Sequence, residues 1–367
     1  MEIVSLNKTA LLDYVNSSAF EEQENLPISF HRAISHANNP RANVNDILLL
    51  LAMEGEELVG YMGILPDLLF IPFQPIVKVG WVSCLWIKES MRGKGITKEL
   101  FRQAHHKYNG NLMAYDYVPA TKRMYDSTGL FAKQPLAKNG IRLYIKSDFE
   151  RILAPKSKIF EKGATVLKGI DAAGNSLLEL YQSGKAYPID HLNLERVETI
   201  NDALNDFIED QAQKNYFQRK QRELNWVLEN PWIVENDEKA AVHKKYYFSS
   251  SAKEFNNFAF QLKNREGSII AFYFFTMRNG VVKLPYFFAK DAIKDSVFVI
   301  NHLLQKWKAK EFTCFHPKLV SALNNSKTIA FHKKEVNRYL VIDKQLSKNI
   351  THVNLFMQDG DGDAVFT

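Results

Sequence analysis

Apolar and polar positions alternate in two rhythms over the first 146 residues. Short bounded apolar runs predict strands at 2–5, 47–53, 58–65, 77–87, 112–116 and 140–146. The polar turn Glu54-Gly55-Glu56-Glu57 makes the second and third of these a hairpin. Apolar residues spaced three or four apart predict helices between them. The first follows Asn7, a capping residue, and carries Ala10, Leu11, Tyr14 and Val15 on one side. The second covers 29–36 and stops at Asn38-Asn39-Pro40. The third starts at Gly95 with Ile96, Leu100, Ala104 and Tyr108 inward, and the fourth, 120–128, ends at Gly129.

From 147 to 188 the periodicity weakens. Lys, Gly and Ser are frequent, and Ala173-Gly174-Asn175 predicts a turn in a hairpin over 164–180. After that segment the order of elements repeats. A strand at 192–197 precedes helices at 201–214 and 219–228. Strands at 255–263, 268–278 and 281–288 follow, with Asn279-Gly280 a two-residue hairpin turn. A helix at 295–309, a strand at 312–315, a helix at 317–324 and a late strand at 336–342 complete the series. The expected architecture is therefore α/β (α+β): two tandem units, each a mixed, mostly antiparallel twisted sheet with helices on both faces. The expected boundaries are 1–150, a connecting segment 151–188, and 189–367.

The length supports two domains, since 367 residues exceed what one compact core usually holds. The net charge of +6 is mild, and pairs such as Lys244-Lys245 and Lys333-Lys334 are short. That argues against a nucleic-acid binder, which concentrates basic charge on one face. Cys84 and Cys314 are far apart in sequence and sit in apolar runs, so neither a disulfide nor a metal site is expected. The N-terminal segment lacks the pattern of a signal peptide, and the apolar runs are too short to span a bilayer. A cytoplasmic protein with no membrane partner is expected; the oligomeric state is not legible.

The candidate chemistry lies where strand 77–87 runs into Arg92-Gly93-Lys94-Gly95-Ile96-Thr97. The first turn of a helix carries unpaired N–H groups that, with the helix dipole, favour an anion. Glycines let a diphosphate reach the backbone, Arg92 and Lys94 add positive charge, and Thr97 adds a hydroxyl. Six residues alone leave a plain helix start equally open.

The flanks extend the pattern. Leu85-Trp86-Ile87, a four-residue spacer and Arg92-Gly93-Lys94-Gly95-Ile96-Thr97 resemble the acyl-CoA signature of the GNAT N-acyltransferase superfamily. Arg92, Gly95 and Thr97 fill its Arg/Gln-x-x-Gly-x-Gly/Ala places, Thr97 being a departure. Tyr125 followed by Gly129 resembles the Tyr-x-x-x-Gly segment downstream; Val118 and Thr121 depart from it. The resemblance implies transfer of an acyl group, most often acetyl from acetyl-CoA, to the primary amine of a small molecule, with an amino sugar one acceptor class. It implies that Leu85, Trp86 and Ile87 meet pantetheine and that Tyr125 protonates the leaving thiolate. No metal is implied.

The base is harder to place. Residues 78–87 contain no Asp or Glu, which leaves Asp116 at the end of the partner strand as the candidate carboxylate and His31 as a further one. Residues 289–295, where a second phosphate turn would fall, contain no glycine and carry Asp291 and Asp295, so the second unit is expected not to bind CoA. Gln358-Asp359-Gly360-Asp361-Gly362-Asp363 begins like a calcium loop but lacks the glutamate such a loop needs. A turn-rich tail is expected, with the further idea that its carboxylates reach the first unit's cleft. Two other readings stand beside the acetyltransferase. Doubled units also resemble Fem-type aminoacyl transferases, and a degenerate, non-catalytic CoA-binding module would need no base.

Overall fold

The computed structural model describes residues 1–367 other than 116–118, 133–135, 154–156, 186, 190, 236–244, 351–355 and 367. The chain forms two compact units that interleave along the sequence. Unit 1 comprises Met1–Lys138, Glu198–Asn257 and Arg338–Thr367; unit 2 comprises Asn139–Val197 and Phe258–Asn337. The linear division expected at 150 and 188 is thus not how the contacts group the chain. Both units combine a mostly antiparallel sheet with helices, the mixed α/β class expected.

Unit 1 is built on strands β1 (Glu2–Leu6), β2 (Leu49–Glu54), β3 (Glu57–Leu69), β4 (Val77–Ile87) and β5 (Leu112–Tyr115), neighbours in that order. The first four pair antiparallel, and β4 and β5 pair parallel. The late strand His332–Ile342 adds its C-terminal end to β5, Leu340 opposite Tyr115 and Ile342 opposite Met113. Period-two alternation gives the sheet two apolar faces. Leu49, Leu51 and Tyr61 pack with Leu11, Val15, Phe20 and Ala33 of the first three helices. Leu50, Ala52, Met62, Ile64 and Val82 pack with Ile96, Leu100, Phe101 and Ala104.

Those helices are α1 (Lys8–Val15), α2 (Ser18–Glu22) and α3 (Phe30–Ala37) on one face and α4 (Ile96–Lys107) on the other. Side-chain caps start the first three: Asn7, Ser17 and Ser29 accept from the backbone N–H three residues on. Burying Ile96, Leu100 and Phe101 of α4 contributes about 1.5–3 kcal/mol for each side chain.

In unit 2 the strands Leu136–Tyr144, Glu311–Cys314, Val281–Ala289, Ile269–Arg278, Phe255–Lys263 and Asn193–Val197 are neighbours in that order. Asn279 and Gly280, both at positive φ, make the tight turn expected between two of them. The helices Ile293–Lys306 and Pro317–Asn325 cover Tyr273, Phe275, Leu284 and Phe312.

One stretch differs from expectation. Residues 164–180 are not a hairpin but most of a 20-residue helix, Ala164–Ser183. Gly169 and Gly174 weaken a helix by about 1 kcal/mol each without ending it. Two polar side chains hold this one in place. Asp171 accepts from the backbone of Phe149 and Glu150 at 2.9 and 3.0 Å, and Asn175 bonds both the N–H and the carbonyl of Ser147. Among the described residues no helix is long and apolar enough to cross a membrane.

Candidate active site

The turn before α4 is shaped for an anion. Gly93 and Gly95 both have φ of +84°, a conformation that other residues adopt at a cost. Gly95 is the N-cap, and no side chain caps the helix. A Cβ placed on either glycine would meet nothing within 4 Å, so there is open space beside the turn at both. Arg92 lies 3.7 Å from Glu89, and the Lys94 ammonium 3.2 Å from the Met91 sulfur. Arg92, Gly93, Lys94 and Gly95 are exposed and Thr97 half-buried; Ile96 is buried in the core, leaving only its backbone for a ligand.

The strand leading into this turn is broken by a bulge. Ser83 pairs with Gly63 and Trp86 with Tyr61, so Cys84 and Leu85 together stand opposite Met62. Cys84 takes φ of +51°. A bulge of this kind re-aims side chains and frees backbone groups from the ladder. On its other edge β4 pairs with β5 only at Gly80 and Trp81. Beyond Trp81 the strands part, and β5 continues along the late strand instead. Leu85 and Ile87 pack on the α4 side, whereas Trp86 stacks on Tyr61 across the sheet, ring centroids 5.4 Å apart.

On the face opposite α4, Arg32 of α3 reaches the bulge. Its guanidinium donates to Ser83 Oγ and Cys84 Sγ, to Tyr246 Oη at 3.1 Å and to His36 Nε2 at 3.2 Å, and the Trp232 ring covers it at 4.0 Å. Burial works against the Arg32 charge, but Cys84, Tyr246 and Asp363 together raise its pKa above the ordinary value. Burial, then the Arg32 charge, hold the His36 pKa well below its usual range, so His36 is neutral and accepts.

The tail closes this face. Gly362 lies against the Trp81 ring and has φ of +70°. Trp81 is itself fixed: Tyr115 stacks on it at 4.9 Å, Phe217 packs at 5.2 Å, and its Nε1 donates to Asp67 at 3.2 Å. Arg219 donates to the carbonyls of Gly360 and Gly362 and, at 2.7 Å, to Asp67, which also receives Arg41 at 2.7 Å. Burial would raise the Asp67 pKa, and Arg219 and Arg41 more than reverse it. Further along, Phe366 stacks on Trp232 with centroids 4.3 Å apart, on the ring that covers Arg32. The tail is turn-rich, as expected, but it is built into unit 1 rather than solvated, with Asp361 only 1% exposed.

The catalytic candidates divide. Tyr125 of α5 (Pro119–Thr128) is half-buried with its ring on the edges of Phe101 and Phe131, at 5.7 and 5.2 Å. Burial first, and the Asp363 charge second, raise its pKa. Asp116 lies outside the described residues. His31 is on the exposed side of α3, its ring 6.0 Å from Phe30, while its neighbour Arg32 faces the bulge. Arg32 is absent from the sequence-derived candidates, and Asp363 enters there only as one of the tail carboxylates suggested to reach the cleft.

The acetyltransferase (GNAT) family model matches residues 12–127, the stretch that contains the bulged strand, the glycine turn and most of α5. These residues match a GNAT acetyltransferase domain, which supports an acyltransferase. Among solved structures it is similar to a probable N-acyltransferase from Enterococcus faecalis, at 11% identity over 93% of this chain and 72% of that one, TM-score 0.51. It is also similar to a GCN5-related N-acetyltransferase from Anabaena variabilis, at 13% identity over 93% and 72% of the two chains, TM-score 0.52. At such identities the likeness is one of fold. No curated protein matches the sequence.

Proposed function

We propose that the protein transfers an acetyl group from acetyl-CoA to a primary amine of a small molecule by direct attack. The observation that carries this reading is the uncapped glycine turn, open above Gly93 and Gly95, at the end of a bulged strand whose neighbour splays away. The first-turn N–H groups, with Arg92, Lys94 and Thr97, hold the diphosphate, each helix-end interaction worth about 0.3–1 kcal/mol and up to ~2 when partly buried. Pantetheine takes the gap beside Leu85 and Ile87. A backbone N–H there polarises the thioester carbonyl and stabilises the oxyanion, a contribution on the order of 10²–10³ in rate. The amine nitrogen bonds to the carbonyl carbon, the C–S bond breaks, Tyr125 gives the departing thiolate its proton, and the proton lost by the nitrogen as the amide forms returns to Tyr125. The turn at 289–295 of unit 2 has no glycine and places Asp291 and Asp295 where a diphosphate needs cations, so CoA binding belongs to unit 1 alone.

Calorimetry with acetyl-CoA tests the site. Gly95→Asp, which adds a charge and a strained φ at the N-cap, is expected to weaken binding at least about tenfold; equal affinity would show that the diphosphate lies elsewhere. A panel of amino sugars, nucleotide-linked amino sugars, amino acids and polyamines, followed by acetyl-CoA consumption, then finds the acceptor.

A further inference from the structure

The tail carries three carboxylates, and two have partners. Asp359 pairs with Arg338 at 2.7 Å and with Lys138 at 3.8 Å. Asp361 accepts from the Gln358 N–H at 2.8 Å. Asp363 is different: the hydrogen bond it accepts is from its own backbone N–H, among the described residues no side chain hydrogen-bonds to it, and it is half-buried.

Its position is tightly set. Gly362 precedes it, pressed on the Trp81 ring at the point where β4 and β5 part. Phe366 follows it, with its N–H on the Asp363 carbonyl at 3.1 Å and its ring on the tryptophan that covers Arg32. Asp363 is thus held between the splay and the guanidinium that grips Ser83 and Cys84 of the bulge. The charged and titratable groups facing it are Arg32 of α3, Tyr125 of α5, Arg338 of the late strand and Arg219 from the loop before the helix Gln221–Glu229, with Asp359 and Asp361 on its own segment.

We propose that Asp363 is the general base that takes the proton from the attacking ammonium, opposite Tyr125 as the acid. This rests on the acyl-transfer reading above. The carboxylate accepts one proton from R–NH₃⁺, and the freed lone pair attacks the thioester carbon. The C–S pair leaves as thiolate and takes the Tyr125 proton, the second proton lost by the nitrogen as the amide forms returns to Tyr125, and Asp363 releases its proton to solvent. Burial raises the Asp363 pKa, while Arg32, Arg338 and Arg219 oppose that rise and favour the carboxylate. A carboxylate lifted in this way is a stronger base than a solvated one.

The test is Asp363→Asn in the full chain, with the best amine of the acceptor panel. The expected result is unchanged acetyl-CoA affinity by calorimetry, kcat lower by about 10²–10⁴-fold, and loss of the acid limb of the pH–kcat profile. Asp363→Glu should restore part of both. Hydroxylamine, which is uncharged at neutral pH, should show a much smaller defect than the amine. Full kcat with the parent pH profile in Asp363→Asn overturns the base assignment while leaving acyl transfer intact. Equal defects with hydroxylamine and the amine also overturn it, because a merely structural role would not distinguish them. If the parent protein itself neither binds nor consumes acetyl-CoA, the acyl-transfer reading fails, and the base assignment with it.

Discussion

Gly362→Ala probes the seat of the tail directly. A Cβ at this position would stand 2.6, 2.8 and 2.9 Å from Cδ2, Cε3 and Cε2 of Trp81. The ring has nowhere to go, since it is fully buried between Tyr115 and Phe217 with its N–H on Asp67. Two effects add. A left-handed backbone conformation costs about 1–2 kcal/mol in a residue with a Cβ, and forcing a methyl into a packed core costs about 1–3 kcal/mol. A middle value near 3 kcal/mol lowers the thermal midpoint of a body of this size by about 6–12 °C. Local relief is available, because the tail can lift and give up the Arg219 contacts and the Phe366 stack. The assay is therefore scanning calorimetry together with limited chymotrypsin digestion, reading cleavage at Phe356 and Phe366 by mass spectrometry. Gly55→Ala is the control: φ is +63° there, but nothing lies within 4 Å of the added methyl, so only the backbone effect operates. If Gly362→Ala melts within ~1 °C of the parent with no new cleavage, or if Gly55→Ala costs as much, the ring contact does not seat the tail.

Burial raises Asp361 from 3.8 to about 7, against Arg219 and Lys138. The folded state therefore binds more protons than the unfolded one between those values, and stability falls as pH rises through that window, by on the order of 4 kcal/mol at about 1.4 kcal/mol per pH unit. Asp361→Asn, which retains an acceptor for the Gln358 N–H, should melt well above the parent at pH 8 and near it at pH 4; a pH-independent difference would contradict the burial argument. Tyr125→Phe keeps the ring contacts with Phe101 and Phe131, so its melting temperature should hold while turnover falls about 10²-fold; full turnover would remove Tyr125 as the acid.

The glycine turn was legible because its meaning is local. Six consecutive residues after an apolar run specify a glycine turn at an uncapped helix start, and Gly93 and Gly95 take the conformations only glycine adopts easily. The two-sided sheet was legible for the same reason, since alternation along 49–52 already assigns Leu49 and Leu51 to one face and Leu50 and Ala52 to the other. What escaped depends on distant partners. Arg32 reads as a polar position on a short helix until Ser83 and Cys84 are brought against it by a bulge, and bulges have weak local signatures. For Asp363 the sequence suggested only that the tail's carboxylates reach the cleft; its seat escaped because Trp81, which fixes Gly362, is far away along the chain. The helix Ala164–Ser183 was hidden by Gly174-Asn175, a pair with turn chemistry that is here held helical by the bonds of Asn175 to Ser147.

The interleaving of the two units has a consequence for how the chain is made. Tyr115 reaches Gln358 across 243 residues, and the strand end that completes the β5 edge begins only at Arg338. On a translating ribosome, the first unit must wait with an unpaired strand edge and an uncovered Trp81 until the residues from Arg338 onward have emerged. The residues of unit 2, synthesised in between, can condense first. Closure of the loops that bring the late residues back is slow compared with local folding. Nascent chains halted before Arg338 thus carry the complete glycine turn without the strand and tail that finish its domain.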